Sequence, residues 1–219
     1  MACRHGESVG NVARASAEAR GLIEVDTPVR DAALPLTALG HHQAQTLGRR
    51  IAALPADERP TRIIASPHRR ALETAEGILR AGYDSERVGF SVDRRLTPKA
   101  FGVLERLTRR GVVARLPHLA ELRERVGRFH FRPPGGESRC DVVLRVRDFV
   151  DELRARDDGE RVLVVTHQIV VNALAWLAGD GAGDALSTNA DGNVANAHLH
   201  TFSFDAPTRT VQPREAACA

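Results

Sequence analysis

Lysine is almost absent. Lys99 is the only one in 219 residues, so the net charge of +3 rests on arginine. The arginines are spread along the chain, in doublets such as Arg49-Arg50, Arg69-Arg70 and Arg109-Arg110, without a concentrated basic tail. Zinc-finger spacing and the aromatic signature of RNA-binding modules are missing as well. The expectation is a solvated arginine surface and no nucleic-acid partner. Aromatics are scarce, with seven Phe, one Tyr and one Trp, which leaves the core to Leu, Val, Ile and Ala. The three cysteines, Cys3, Cys140 and Cys218, are odd in number and far apart. They give neither a disulfide framework nor a metal-ligand spacing, which suits a reducing cytosol. The longest apolar stretch, 169–178, is interrupted by Asn172 and is too short to span a bilayer. The first ten residues are polar and lack the apolar centre of a signal peptide. A cytoplasmic protein that engages no membrane is expected.

What the chain does have is a series of short β-branched runs, each followed by polar or cationic residues and then a helix-like segment. The length suits one substantial core, so residues 1–219 are read as a single domain. Thr37 is placed to cap a helix carrying Leu47, Ile51 and Leu54 at helical spacing. The strand Arg62 to Ala65 follows. Ser66 is then read as the cap of the next helix, with Pro67 at its first position and Ala71, Ala75 and Ile78 facing inward. A further strand is expected within 85–92. Ser138, with Asp141 three residues on, forms a capping box for a helix with Val142, Val146, Phe149 and Leu153 on one face, stopped by Asp157-Asp158-Gly159. The strand 161–165 leads into a buried helix, 168–177. A Gly/Asp/Asn loop at 179–192, a last strand at 197–204 and a frayed tail from Pro207 complete the chain. Residues 12–33 read as loop with some helix. Residues 96–136 are the least regular and are read as an insertion covering the site. The alternation of strands and helices predicts a three-layer α/β/α sandwich with a mostly parallel central sheet. The first strand is the exception. Only Met1-Ala2-Cys3 precede Arg4, where a central strand usually supplies about five residues, so that strand is expected to be clipped or to begin upstream.

Three places in this pattern carry chemistry. They are Arg4-His5-Gly6-Glu7-Ser8 with Asn11, Ser66 through Arg70 with Thr74, and Thr166-His167-Gln168. Each puts a cation or an imidazole just past an apolar strand, and open α/β sheets bind ligands beyond the carboxyl ends of their strands. Arg4, His5, Arg70 and His167 are therefore expected to converge. Two guanidiniums and two imidazoles at one spot describe a site for a phosphate, because guanidinium forks bond two oxygens and stay charged. The guanidiniums are also expected to disfavour protonation of His5, leaving a ring nitrogen free to attack.

Together with Gly136-Glu137-Ser138, these motifs resemble the histidine phosphatase superfamily, the phosphoglycerate mutase-like clan, over nearly the whole chain. The resemblance implies a phosphoglycerate mutase-like fold. It also implies transfer of a phosphoryl group through a phosphohistidine on His5, with Arg4, Arg70 and His167 holding the phosphoryl oxygens. Asn11 and the backbone N–H of Gln168 would add donors. A small phosphorylated molecule is the expected substrate, with neither metal nor other cofactor, and the oligomeric state is left open. One position departs from the pattern. Where this clan usually carries a carboxylate proton donor, four residues before Gly102, the chain has Pro98. Glu105, Asp93, His68, His118 and His130 are the nearest candidates to replace it. Without an acid, expulsion of an alkoxide slows by roughly 10²–10⁴-fold, while aryl oxides and other good leaving groups suffer less. The expected activity is hydrolysis of small phosphomonoesters. The alternatives are mutase-type transfer, a phosphohistidine or phosphoprotein phosphatase, and a non-catalytic phosphoester binder. Glu7 and Glu137 are read as structural, and Arg69 as the surface partner of Glu73.

Overall fold

The computed structural model describes residues 1–82, 88–156, 159–179, 194–204 and 211–214. Its sheet contains β1 (Ala2–Arg4), β2 (Arg62–Ala65), β3 (Gly89–Val92), β4 (Val162–Thr166), β5 (Leu199–Phe204) and β6 (Val211–Arg214), in the order β3-β2-β4-β1-β5-β6. The pairs β3–β2, β2–β4 and β4–β1 are parallel, and β1–β5 and β5–β6 are antiparallel. The mostly parallel α/β architecture expected from the sequence is the one observed.

Period-2 alternation decides which side chain faces which layer. Cys3, Ile63, Ala65, Leu163 and Val165 join Leu47 and Ile51 of α2 (Ala38–Ala52) and Ala71, Ala75 and Ile78 of α3 (Arg69–Arg80). Their neighbours Ala2, Ile64 and Val164 point the other way. They meet Val142, Val146 and Phe149 of α6 (Arg139–Arg156) and Val170, Ala173 and Leu174 of α7 (Gln168–Leu177). Each aliphatic side chain buried this way contributes about 1.5–3 kcal/mol, so the core manages with few aromatics. Helices α2, α6 and α7 start where the sequence says, with Thr37 capping α2 through Gly40 N–H at 3.0 Å. The capping box of α6 is present. Asp141 N–H donates to Ser138 Oγ at 3.1 Å, and Ser138 N–H to Asp141 Oδ2 at 2.7 Å.

Four expectations need correction. Ser66 does not cap α3, whose cap residue is His68; the Ser66 hydroxyl is taken instead by His167, at 2.8 Å. Residues 9–19 are a regular helix, α1 (Val9–Ala19), capped by Ser8 with Asn11 completing a capping box. The sequence suggests some helix from residue 12 on but hides its start and regularity, because Ala17 is its one buried residue and it lacks an apolar stripe. Arg4 lies inside β1, opposite Thr166, which makes the first strand short yet fully paired. Residues 211–214 of the tail pair with β5, while 207–210 and 215–219 lie outside the described residues, as do Asp157, Asp158 and the loop residues 180–192.

Segment 96–136 is more ordered than its sequence suggests. It contains α4 (Arg109–Arg115) and α5 (Pro117–His130), with a break at Gly127, where φ is 77°. Leu104, Val112, Leu119 and Phe131 give it a small core of its own. Arg145 of α6 anchors its start, donating to Thr97 O at 2.9 Å and Pro98 O at 3.2 Å.

The loop after β1 is pressed against α2, backbone on backbone. A Cβ on Gly40 would stand 2.0 Å from Glu7 O, and one on Gly6 2.5 Å from Gly40 O. In a helix interior alanine normally gains about 1 kcal/mol over glycine. Here the overlap with a carbonyl reverses the sign, and overpacking costs about 1–3 kcal/mol. Gly40→Ala should lower the urea midpoint of unfolding; a raised midpoint would show that the loop yields freely.

Candidate active site

The register aligns three strand ends. Arg4 stands opposite Thr166, and Ala65 opposite Val165. The next residues leave the sheet together. His5 N–H donates to Thr166 O at 2.8 Å, and Ser66 N–H to Val165 O at 2.9 Å. His5, Ser66, Arg70 and His167 are all buried, and the His5 and His167 rings meet edge to face with centroids 5.1 Å apart. His5, Arg70 and His167 therefore meet as expected, and Arg4 adjoins them at the end of β1.

The tautomer of His5 follows from its neighbours. Nδ1 lies 2.7 Å from Gly6 O, and a carbonyl only accepts, so Nδ1 carries the proton. Arg70 Nε lies 3.3 Å from His5 Nε2, and a guanidinium only donates, so Nε2 presents its lone pair. Burial pushes the His5 pKa down to about 3, with Arg70 the next cause and Arg4 a lesser one; Gly6 O and Asp31 act in the opposite direction. Desolvation outweighs the guanidiniums on which the sequence argument relied. His167 is also held well below the ordinary imidazole range, by burial first and then by His5 and Arg70.

One hydroxyl joins the loop that carries His5 to the helix that carries Arg70. Thr74 Oγ1 accepts from Gly6 N–H at 3.0 Å and donates to Arg70 O at 2.6 Å. Arg4 Nη1 donates to Val194 O at 2.7 Å. Arg4 Nε, His68 Nδ1 and His167 Nδ1 are buried and have no hydrogen-bond partner among the described residues. A buried polar atom left unpaired costs about 1–3 kcal/mol. Such atoms in one neighbourhood mark a site where stability yields to binding.

A cavity of about 460 Å³ opens beside His5, Asn11 and Arg70 and is walled by Arg14, Val25, Thr27, Val29, Asp31, Glu105 and Arg106 among others. Arg4, His167 and Gln168 are not on its wall. Asn11 Oδ1 accepts from Ser8 N–H at 3.1 Å and from Asn196 Nδ2 at 3.3 Å, so its amide nitrogen is the end left to donate. Gln168 is the first residue of α7, which puts its backbone N–H at the positive end of a helix.

Of the candidates to replace the acid at Pro98, Glu105 reaches the cavity wall. Asp93 does not serve, because Arg95 grips it at 2.5 Å. His68 stacks edge-on against His167 with centroids 5.1 Å apart, and it lies 3.5 Å from Asp31 Oδ2. Asp31 itself was missed in the sequence. Its carboxylate takes Arg70 Nη2 at 2.9 Å, and its carbonyl takes Nη1 at 2.7 Å. Glu7 and Glu137 are structural, as read. Glu7 Oε1 accepts from Thr37 Oγ1 at 2.8 Å, and Glu137 pairs with Arg145 at 2.9 Å. Arg69 pairs with Glu73 at 2.7 Å.

Two neutral buried histidines make stability depend on acid. Unfolded histidine binds a proton near pH 6.5, whereas folded His5 does so only near pH 3. Below pH 6.5 the unfolded chain takes up protons that the folded chain refuses. Stability is full above that pH and falls as pH drops toward 3, by up to about 1.4 kcal/mol per pH unit for each such group. Thermal melting followed from pH 7.5 to 4 should show this decline, and a flat profile would contradict it.

Among the described residues no group of three or more His, Cys, Asp or Glu is set to hold a metal ion, and no helix is long and apolar enough to cross a membrane.

An α/β sheet whose strand ends bring an unprotonated buried imidazole against a guanidinium, beside an open cavity, defines a protein built to handle an oxyanion. The chain belongs to the histidine phosphatase superfamily, branch 1, whose family profile matches residues 1–214. It is 33% identical over 159 residues to the phosphoglycerate mutase-like protein AT74H of Arabidopsis thaliana, covering 68% of this chain and 51% of that one. The chain thus matches about half the length of that relative. It is 32% identical over 174 residues to the probable phosphoglycerate mutase GpmB of Photorhabdus laumondii, covering 78% and 70%. Among solved structures, YhfR of Bacillus stearothermophilus superposes with a TM-score of 0.73 at 26% identity, covering 97% of this chain and 93% of that one.

Proposed function

We propose that this protein is a phosphatase that hydrolyses small phosphomonoesters through a phosphohistidine on His5. The observation that carries the reading is the buried imidazole whose Nδ1 is bonded to Gly6 O and whose Nε2 faces Arg70. In that tautomer the lone pair is fixed in direction, and no deprotonation precedes attack. Phosphoryl transfer is mostly positioning and charge stabilisation, and the remaining roles follow from that. Arg70, Arg4 and His167 hold the equatorial oxygens, and the Asn11 amide and Gln168 N–H add neutral donors. Water then attacks the phosphohistidine. Hydrolysis, more than mutase-type transfer, suits a cavity whose Arg14 and Asp31 side chains are about half exposed, at 47% and 46%. A mutase has to exclude water and return the phosphoryl group to a second hydroxyl. Glu105 and Arg106 bring segment 96–136 to the cavity wall, which supports its reading as a cover over the leaving group.

The test is rapid acid-free quenching of the protein with a labelled aryl phosphate. A burst of one label per active site, stable in base, lost in acid and located at His5, is expected. Turnover with no label on the protein would sink the covalent route.

A further inference from the structure

Pro98 leaves the reaction without the proton donor that the rest of the site calls for. We infer that Asp31 protonates the leaving oxygen in its place. The inference rests on the phosphohistidine reading above. Asp31 lies in a 3₁₀ turn (Asp31–Ala33) on the cavity wall. It is one guanidinium away from the nucleophile, since Arg70 donates through Nε to His5 and through Nη2 to Asp31 Oδ2. A phosphoryl group on His5 Nε2 and Arg70 would therefore have Asp31 at its outer side, where the ester oxygen departs. Asp93 pairs with Arg95 and Glu137 with Arg145, and neither lines the cavity. Glu105 shares the cavity wall and is the rival.

The surroundings of Asp31 supply its proton. Arg70 and His68 face it from α3, His5 from the loop after β1, Arg30 is its sequence neighbour, and Arg14, Glu105 and Arg106 line the same cavity. In the free protein burial raises the Asp31 pKa, but His68 and Arg70 outweigh it and hold the carboxyl well below its ordinary range. An incoming phosphate competes for the same Arg70 nitrogens and sets a dianion beside the carboxylate. Loss of a cation and gain of an anion both raise proton affinity, so the carboxyl gains its proton as substrate binds. His68 acts as a positioning residue, 3.5 Å from Oδ2. In the first step the Nε2 lone pair forms the N–P bond, the P–O ester bond breaks with its electrons on oxygen, and that oxygen takes the proton of Asp31. In the second, water attacks phosphorus and gives a proton to the Asp31 carboxylate. The N–P electrons return to Nε2, and inorganic phosphate leaves.

The experiment compares turnover of an aryl and an alkyl phosphate across pH in wild type, Asp31→Asn, Asp31→Glu, Glu105→Gln and His5→Ala. Protection of each protein by inorganic phosphate is followed by thermal shift. Asp31→Asn should lose alkyl turnover by roughly 10²-fold or more, keep most aryl turnover, keep phosphate protection and lose the alkaline limb of the alkyl profile. Asp31→Glu should recover part of the alkyl rate. Equal loss on both esters with weakened phosphate protection would mean that Asp31 only steadies Arg70, and the inference fails. Unchanged or faster alkyl turnover would mean that Asp31 merely competes with phosphate, and it fails again. Alkyl-selective loss in Glu105→Gln and none in Asp31→Asn gives the role to Glu105. Should Asp31→Asn not fold, the alkaline limb in Asp31→Glu decides: a limb displaced for the alkyl ester alone supports the inference, and an undisplaced one overturns it. A His5→Ala protein as active as wild type on the aryl ester would instead remove the phosphohistidine reading, which keeps the two failures apart.

Discussion

Replacing His5 with alanine should lower aryl phosphate turnover by roughly 10⁴–10⁶-fold, the range seen when an enzyme loses its nucleophile, while phosphate still protects the fold. The two halves of that result come from different atoms. Turnover depends on Nε2, whose lone pair is aimed by the bond from Nδ1 to Gly6 O. Phosphate binding depends on charge, and Arg70 keeps its hold on Asp31 through Nη1 and Nη2 whether or not the imidazole is present. His5→Ala also removes one of the groups that makes the fold acid-sensitive, so its melting temperature should decline less below pH 6.5 than that of wild type. Steady-state kinetics beside a thermal shift with phosphate measures both halves. Wild-type turnover in the variant would falsify the assignment of the nucleophile.

Arg70→Lys should cost about 10²–10³-fold in kcat, the scale of losing one preorganised donor to a developing oxyanion, although the formal charge is unchanged. The guanidinium is 6% exposed and uses three nitrogens at once, Nε on His5, Nη1 on Asp31 O and Nη2 on Asp31 Oδ2. An ammonium is a point charge on a flexible stem and cannot reproduce a planar fork. It leaves His5 Nε2 without its buried donor and frees the turn at 31–33 from its anchor. Phosphate protection should weaken together with kcat, in contrast to His5→Ala, where the two separate. A lysine variant with wild-type kcat would show that charge alone serves and that the fork geometry is idle.

The sheet and most of the reactive cluster were legible in the sequence because both depend on local rules. Apolar β-branched runs gave β2 and β4, helix signals placed α7 at 168–177, and the polar residue after each run marked the strand ends. What stayed hidden depends on distant parts of the chain. Ser66 looks like a helix cap until His167, a hundred residues away, claims its hydroxyl. Asp31 sits in a proline-containing stretch with no pattern around it, and only the packing of that turn on α3 brings it to Arg70. Helix α1 buries Ala17 alone and so shows no apolar stripe to read, and its cap shares Asn11 with the cavity. The fall in His5 proton affinity was foreseen from the guanidiniums alone and its largest cause, burial, was not, since burial is a property of the whole fold and charge can be read from neighbours.

The Thr74 hydroxyl, bonded to Gly6 N–H on one side and Arg70 O on the other, ties the loop that carries His5 and the helix that carries Arg70 into one unit. Thermal motion therefore carries them together, and their separation does not have to be recovered at each encounter with substrate. The cavity wall beyond them is drawn from two other segments: the one around 25–34 is fastened to the same arginine through Asp31, whereas the one at 105–106 bonds Val25 instead. The segment at 105–106 can therefore change in length or composition without altering the distance between His5 and Arg70. The wall at 105–106 can in this way drift while the unit built on Thr74 stays fixed.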